Sequence, residues 1–186
     1  MIYWTHMTTI VQDGHPVLRG VAAPVSLTDI GAPKLAEIIG RMKKALVEQA
    51  DGVAIAAPQI GVPLRIFVVA GFILKKKKDV DAPPDKVFIN PEIVSVSKER
   101  SWVEEGCLSV RHLYGQVSRA KKAKVRAYDE HGKRFTMGAS GLLAQVFQHE
   151  IDHLDGKLFT DSARDVRELS PEEQETVLRS ANTLRA

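Results

Sequence analysis

Residues 148–153 read Gln148-His149-Glu150-Ile151-Asp152-His153, a segment that contains an HExxH pattern. Two histidines four residues apart lie one turn above each other on a helix, with about 5–6 Å between their Cβ atoms. At this spacing two imidazole nitrogens can bind one metal ion, and the glutamate between them can reach a metal-bound water. The alternative is a chance occurrence, because a pattern of five residues also arises by accident.

The residues around this pattern predict a largely buried helix from Ser140 to Leu154. An advance of about 100° per residue separates two apolar arcs. The first arc holds Leu142, Gln145, Val146, His149 and His153, and the second holds Leu143, Phe147, Ile151 and Leu154. Histidines on a buried face need polar partners, and a metal ion supplies one to both. The segment therefore predicts a metal site on a central helix.

The third metal ligand distinguishes the classes of protein that use this pattern. Zinc endopeptidases take it from a glutamate or histidine downstream, but no histidine follows His153, and the nearest acids are Asp155 and Asp161. The only cysteine, Cys107, lies upstream in the stretch Glu104-Glu105-Gly106-Cys107-Leu108-Ser109. A lone cysteine is by default an inert core residue. A loop thiolate would instead complete a Cys-His-His set and leave a fourth position for water.

Three motifs resemble those of the bacterial, type 1-like peptide deformylases. Glu105-Gly106-Cys107-Leu108-Ser109 and His149-Glu150-Ile151-Asp152-His153 are similar to the second and third motifs of that family. Gly52-Val53-Ala54-Ile55-Ala56-Ala57-Pro58-Gln59 matches the first motif, GxGxAAxQ, except at Ala54. The motifs occur in the family's order, and the resemblance spans roughly residues 8 to 170. It implies an enzyme that removes the formyl group from the N-terminal formyl-methionine of nascent polypeptides and releases formate.

The resemblance implies catalytic and metal-binding roles for six residues: Cys107, His149, His153, Glu150, Gln59 and Leu108. The cysteine and the two histidines would hold one divalent ion, which the resemblance implies is Fe²⁺ in cells, with Zn²⁺, Ni²⁺ or Co²⁺ able to replace it. Ligand softness and geometry alone favour zinc. Glu150 would act as general base and then general acid. The side-chain amide of Gln59 and the backbone N–H of Leu108 would stabilise an oxyanion.

Substrate binding is implied at six further positions: Val53, Ala54, Gly106, Leu142, Gln145 and Val146. The N–H of Val53 and the C=O of Gly106 would bind the peptide backbone like an added strand. The three residues on the helix would lie beside a methionine side chain, although such residues are more often core. Glu105 and Arg119 match a structural ion pair of the family.

Ala54 and Gln145 depart from the family pattern, which has glycine at the first position and often an apolar residue at the second. Both departures are either harmless drift or the cause of a shallower, more polar pocket. Ala54 would be strained by about 1–2 kcal/mol if its φ were positive. Asp152 is either the carboxylate that orients a ligand histidine or a solvated helix residue.

Composition places the chain among ordinary globular proteins. Its 186 residues suit a single domain, 44% are hydrophobic and 26% charged, and the net charge is +3. One cysteine excludes an internal disulfide and suits the cytoplasm. The chain lacks the run of about 20 apolar residues that a membrane span needs, and residues 1–7 look like a disordered leader rather than a secretory signal. The run Lys75 to Lys78 is more typical of a solvated loop than of a nucleic-acid site.

The predicted fold is α+β, with short mixed or antiparallel sheets around the HExxH helix and a C-terminal helix over 170–185. A further helix is predicted from Pro33 to Ala50. Strands are predicted at Arg65–Ala70, Val87–Asn90, Glu92–Val96, Lys124–Tyr128 and Arg134–Met137. A hairpin turn is predicted at Asp129 to Gly132, and Ser170 and Glu173 form a capping box.

Two other functions compete with the deformylase prediction. A zinc endopeptidase is disfavoured because the third ligand is an upstream cysteine. A non-catalytic relative that binds nascent chains or ribosomes is disfavoured because the ligands, Glu150 and Gln59 are all present. The expected partners are N-formylmethionyl peptides, with at most a transient ribosome contact, because residues 164–185 hold four arginines against five acids. No membrane or specific nucleic-acid partner is expected.

Overall fold

A computed structural model of the protein describes residues 9–75 and 80–185. The α-helices are α1 (Pro33–Val47), α2 (Gly71–Leu74), α3 (Gly141–Leu154) and α4 (Pro171–Arg185), and 3₁₀ turns lie at Pro16–Leu18, Leu27–Asp29, Ala57–Ile60 and Phe159–Asp161. The strands are β1 (Ala54–Ala56), β2 (Ile66–Val69), β3 (Lys86–Val96), β4 (Arg100–Cys107), β5 (Val110–Ala120), β6 (Lys122–Tyr128), β7 (Arg134–Ser140) and β8 (Arg164–Glu168). The predicted α+β class is confirmed.

The strands form two sheets. Five strands pair in the order β1-β2-β3-β6-β7, and three pair in the order β4-β5-β8. Each pairing of these strands is antiparallel, so the sheets are antiparallel rather than mixed. The hairpin between β6 and β7 turns at the predicted residues, where the Asp129 carboxylate accepts from the backbone N–H groups of His131 and Lys133.

Helices α1 and α3 cover opposite faces of the five-stranded sheet, because side chains of a strand alternate between its faces. On one face, α1 packs Leu35, Ile39, Met42 and Leu46 against Ile55, Ile66, Val68, Val87 and Ile89. On the other, α3 packs Val146, Phe147, Ile151 and Leu154 against Phe67, Val69, Phe88, Val125 and Ala127. Helix α3 therefore lies in the core, as its two apolar arcs predict.

A buried amide attaches α3 to the end of β5. The Gln148 side chain donates to the carbonyl of Ala120 and accepts from the Ala120 N–H, at 3.0 Å each. It also donates to the carbonyl of Ala144 in its own helix at 2.8 Å. Because β4 and β5 form one hairpin, this contact helps to place α3 against the sheet that carries Cys107.

The segment around Cys107 departs from the sequence prediction. It was expected to be a loop, but Cys107 is the last residue of β4, and a short turn connects it to β5. Exposed charged residues interrupt the apolar pattern of β4, so its pairing with β5 was not evident from local periodicity. Strands β1, β4, β5 and β8 and the short helix α2 were all missed.

The observed bounds of two other elements, β3 and α1, differ from the predicted ones. The two strands predicted on either side of Pro91 form one strand, β3, with a register shift and a positive φ of 50° at Asn90. The Asn90 side chain stabilises this shift by pairing with both the N–H and the C=O of Val25, at 2.8 Å each. Helix α1 ends at Val47, three residues before the predicted Ala50.

Helix α4 begins with the predicted capping box. The Ser170 N–H donates to the Glu173 carboxylate at 2.8 Å, and the Glu173 N–H donates to the Ser170 hydroxyl at 3.3 Å. At its other end, Arg185 donates to the carbonyl oxygens of Gln49 and Gly52. The helix therefore packs back against the segment that precedes β1.

Within residues 9–75 and 80–185, no helix is both long and apolar enough to cross a lipid bilayer. The leader expected at residues 1–7 lies outside the described residues, and so do Lys76 to Lys78 of the lysine run.

Candidate active site

The predicted metal ligands come together from two separate elements. Cys107 ends β4, and His149 and His153 lie one turn apart on α3. The Cys107 Sγ and a ring nitrogen of each histidine lie within 4.8 Å of one another. The Sγ is 3.2 Å from the His153 Nε2, and the two imidazole centroids are 4.9 Å apart. This spacing is close to what ligand bonds of about 2.0–2.3 Å to one ion allow.

A buried carboxylate orients His149. The His149 Nδ1 lies 2.9 Å from Glu105 Oε2, and because a carboxylate only accepts, Nδ1 carries the proton. The Nε2 atom of His149 is then left to bind a metal. Arg119 donates two hydrogen bonds to Glu105, at 2.8 and 2.9 Å, and a third to Asp152. The ion pair of Glu105 and Arg119 is confirmed.

The predictions for Asp152 and Glu105 need correction. The Asp152 carboxylate accepts from Arg119, so it is neither the acceptor for a ligand histidine nor a fully solvated residue. The carboxylate that contacts the ligand ring belongs to Glu105, which was expected only to support the structure. The position of Glu105 directly before Gly106 and Cys107 was the one sequence signal for a role at the site. The spacing of residues along the chain could not predict that its partner on α3 is His149.

The electrostatics of the cluster favour a thiolate. Burial disfavours ionisation of Cys107, but the charge of His153 and hydrogen bonds with both histidines outweigh it and lower the thiol pKa to about 5. Burial also opposes the charged form of Glu105, yet hydrogen bonds with His149 and Arg119 lower its pKa to about 2. A thiolate and two imidazoles form a donor set suited to a divalent transition metal, so these residues fit such an ion.

Glu150 lies beside the cluster in a different environment. It is 4% exposed, and its Oε2 atom has no hydrogen-bond partner among the described residues. Burial raises the pKa of Glu150 to about 7, although the nearby histidines oppose the shift. A carboxyl group with this pKa can both accept and release a proton near neutral pH.

Gln59 and Leu108 border the same space. Gln59 is 2% exposed, in the 3₁₀ turn after β1, where its Oε1 accepts from the Ala56 N–H at 2.8 Å. This bond turns the Nε2 donor towards Cys107 Sγ at 3.5 Å and Ser109 Oγ at 3.3 Å. Leu108 is buried in the turn between β4 and β5, next to the thiol. Both residues contribute to one cleft with Cys107.

This cleft has a volume of about 230 Å³. Its lining includes each residue predicted for substrate binding, namely Val53, Ala54, Gly106, Leu142, Gln145 and Val146, together with Gln59, Cys107, Leu108, His149 and Glu150. Sequence reasoning did not place six more residues in this lining: Asp51, Gly52, Glu104, Glu105, Tyr114 and Val177. His153 lies behind this lining and is 1% exposed.

The two departures from the family pattern occupy ordinary positions. Ala54 lies in β1, paired with Val69, and is not among the residues with positive φ, so the condition for backbone strain at this position is not met. The Gln145 amide donates to the carbonyl of Glu104 at 2.9 Å, so its polar end has a partner at the side of the cleft. The Gln145 amide is therefore paired, and the Ala54 backbone lies outside the strained region of positive φ.

Gly106 is required by close packing. A Cβ atom at this position would lie 2.5 Å from the ring of Tyr114, its partner across the β4–β5 hairpin. The tyrosine ring therefore packs directly on the Gly106 backbone, which borders the cleft.

Comparison with known proteins identifies the class to which this fold and cleft belong. The polypeptide deformylase family model matches residues 7–168. The peptide deformylase of Treponema pallidum (strain Nichols) is 44% identical over 148 residues, covering 80% of this chain and 83% of that protein. The peptide deformylase of Mesorhizobium japonicum is 44% identical over 146 residues, covering 78% of each.

Solved structures agree with these relatives. A peptide deformylase from Legionella pneumophila has a TM-score of 0.72 and 38% identity, covering 96% of this chain and 95% of its own. A class I type b peptide deformylase from Acinetobacter baumannii with Met-Ala-Ser bound has a TM-score of 0.73 and 36% identity, covering 83% and 98%. The fold is thus that of a class of hydrolytic enzymes. This chain belongs to the polypeptide deformylase family.

Proposed function

We propose that this protein removes the formyl group from the N-terminal formyl-methionine of nascent polypeptides. The observation that carries the proposal is the cluster of Cys107, His149 and His153 at a cleft that also holds Glu150 and Gln59. The relative from Acinetobacter baumannii was solved with Met-Ala-Ser, a peptide that starts with methionine. The products would be formate and a free N-terminal amine.

Cys107, His149 and His153 would hold one divalent ion, with Fe²⁺ in cells and Zn²⁺, Ni²⁺ or Co²⁺ as substitutes. When bound, such an ion supplies Lewis-acid activation of water and of a carbonyl oxygen. Glu105 keeps the His149 ring in the orientation in which Nε2 faces the cluster, and Arg119 holds Glu105 in place. This support pre-organises the ligands and reduces the cost of binding the ion.

Glu150 would move the proton in the reaction. Its Oε2 atom is buried without a partner among the described residues, so it can take a proton from the attacking water and pass it to the leaving amine. The Gln59 Nε2 and the Leu108 N–H would donate to the formyl oxygen as negative charge develops on it. Donors fixed before the reaction stabilise that charge without reorganisation, and Gln59 is fixed by its bond to Ala56.

The methionine side chain would lie along α3, against Leu142, Gln145 and Val146. The peptide backbone would extend between the Val53 N–H and the Gly106 C=O, with Ala54 beside it. We place the protein in the cytoplasm, where its single cysteine would stay reduced. A ribosome contact would be transient, because residues 164–185 contain four arginines and five acids and so carry no net positive charge to attract RNA.

Formate release from formyl-Met-Ala-Ser, by protein purified without oxygen and with its metal content measured, tests this function. We expect about one metal ion per chain and formate release that stops when the ion is removed. Cleavage of unformylated casein would point to an endopeptidase. Absence of formate release from the metal-loaded protein would point to a non-catalytic relative.

A further inference from the structure

The cleft extends beyond the residues that have a role in the proposed reaction. Tyr114 and Val177 also line it, and they come from β5 and from α4. Both side chains are half-buried. Tyr114 packs its ring on Gly106, so it borders one of the two backbone edges that would hold a peptide. Val177 is the residue that α4 contributes to this lining.

Helix α4 is attached to the other backbone edge. The Arg185 Nη2 donates to the carbonyl of Gln49 at 2.7 Å and to that of Gly52 at 3.3 Å, directly before Val53. The Arg185 guanidinium also lies 5.0 Å from the centre of the Phe72 ring. Arg111 pairs with Asp51 at 3.0 Å and so joins the start of β5 to the same segment. These contacts hold α4, the start of β5 and residues 49–52 together around one end of the cleft.

The apolar character of this wall indicates what it can bind. Val177 presents two methyl groups and Tyr114 an aromatic ring, whereas the charge of Asp51 is already paired with Arg111. In the proposed function, which this inference extends, the methionine side chain lies against α3. A peptide bound as an added strand then carries its next side chains towards the remaining walls, since successive residues alternate in direction.

We propose that α4 forms an outer wall of the substrate cleft and that Val177, with Tyr114, contacts an apolar side chain in the two residues after the formyl-methionine. The enzyme would therefore distinguish nascent chains by the residues that follow methionine. Val177 is a specificity-determining residue in this account and takes no part in the chemical step.

Steady-state kinetics on two substrates test the proposal, with the metal-loaded full chain. Formyl-Met-Leu-Phe supplies apolar side chains to the wall, and formyl-Met-amide supplies none. Val177→Ala removes two methyl groups, so we expect its KM for formyl-Met-Leu-Phe to rise about four- to tenfold more than its KM for formyl-Met-amide, with little change in kcat. Leu184→Ala, which removes an exposed apolar side chain from the same helix, should leave both substrates unaffected.

Three outcomes separate the inference from the function on which it rests. No formate release from either substrate by the unmodified protein would refute the proposed function. Equal changes in KM for both substrates, with formate release retained, would refute the α4 wall alone. Val177→Ile keeps a branched apolar side chain and guards against a folding defect. Calorimetric binding of the product Met-Leu-Phe should weaken in Val177→Ala more than in Val177→Ile, and equal weakening in both variants would also refute the wall.

Discussion

Glu150 lies next to a candidate ligand in the sequence but is not one of the clustered ligand residues. We expect Glu150→Ala and the isosteric Glu150→Gln to retain metal and to lose turnover by about 10²–10⁴-fold, because the proton carrier is lost. Metal analysis and formate release measured on the same sample check this prediction.

Glu99→Gln provides the matched control, since Glu99 is an exposed acid that pairs with Lys121 and is not among the residues lining the cleft. Its turnover should equal that of the unmodified protein. A Glu150→Gln variant with near-normal turnover would contradict the proton-transfer role, whatever its metal content.

Cys107 is the ligand candidate that comes from outside the helix. The Cys107→Ala variant should lose bound metal and activity together, because two histidines alone make a much weaker site. Oxidation of the same sulfur should have the same effect and should be faster with iron bound than with nickel. Metal content after dialysis measures the loss, with Ser109→Ala as the control that keeps its metal. Tight binding of one ion by Cys107→Ala would rule out the assignment.

Gln145 has a hydrogen-bond partner in the Glu104 carbonyl, and Ala54 has no positive φ. These two observations favour harmless sequence drift at both positions over a modified substrate pocket. We therefore expect Ala54→Gly and Gln145→Ile to change kcat/KM for formyl-Met and formyl-Ala peptides by similar factors. A larger gain for formyl-Met peptides in either variant would instead support the shallower, more polar pocket.

At the scale of elements, Gln148 is the contact that attaches α3 to the end of β5. Gln148→Leu would leave the buried N–H and C=O of Ala120 without this partner, at a cost of about 1–3 kcal/mol each. The free energy of unfolding in urea should fall accordingly. Gln174→Leu, which loses one half-buried bond to the Leu169 carbonyl, should cost about 1 kcal/mol or less. Equal losses in the two variants would contradict a special role for Gln148.

At the scale of the whole molecule, the ligand set connects the β4–β5 hairpin to α3. A bound ion should therefore stabilise the folded chain, by about 2.7 kcal/mol when its concentration is 100 times the Kd. For a chain of this size, chelation should lower Tm by about 5–11 °C. Calorimetry with and without chelator measures the shift. Cys107→Ala, treated in the same way, should show almost none, and a matching shift there would place the stabilising ion elsewhere.

Much of the candidate site was readable from local pattern. A helix places residues four apart on one face, so His149 and His153 were predicted as neighbours, with Glu150 beside them. The apolar arcs of α3 predicted its burial on two sides, and the capping box at Ser170 predicted the start of α4. The motifs at Gly52–Gln59 and at Glu105–Ser109 predicted the family through resemblance. Each of these signals lies within a few consecutive residues.

The remaining features depend on contacts between distant parts of the chain. Glu105 and His149 are 44 residues apart, and Cys107 and His153 are 46 apart, so only the packing of β4 against α3 decides which carboxylate and which thiol reach the rings. Strand β4 has no clear apolar alternation, because its cross-strand pairing with β5 rather than its own pattern stabilises it. Sequence by itself determined the family motifs and the candidate residues for metal binding and for the chemical step. Tertiary structure alone decided how Glu105, Gln148 and the returning helix α4 arrange them, since hydrogen bonds and packing across the fold leave no local periodicity.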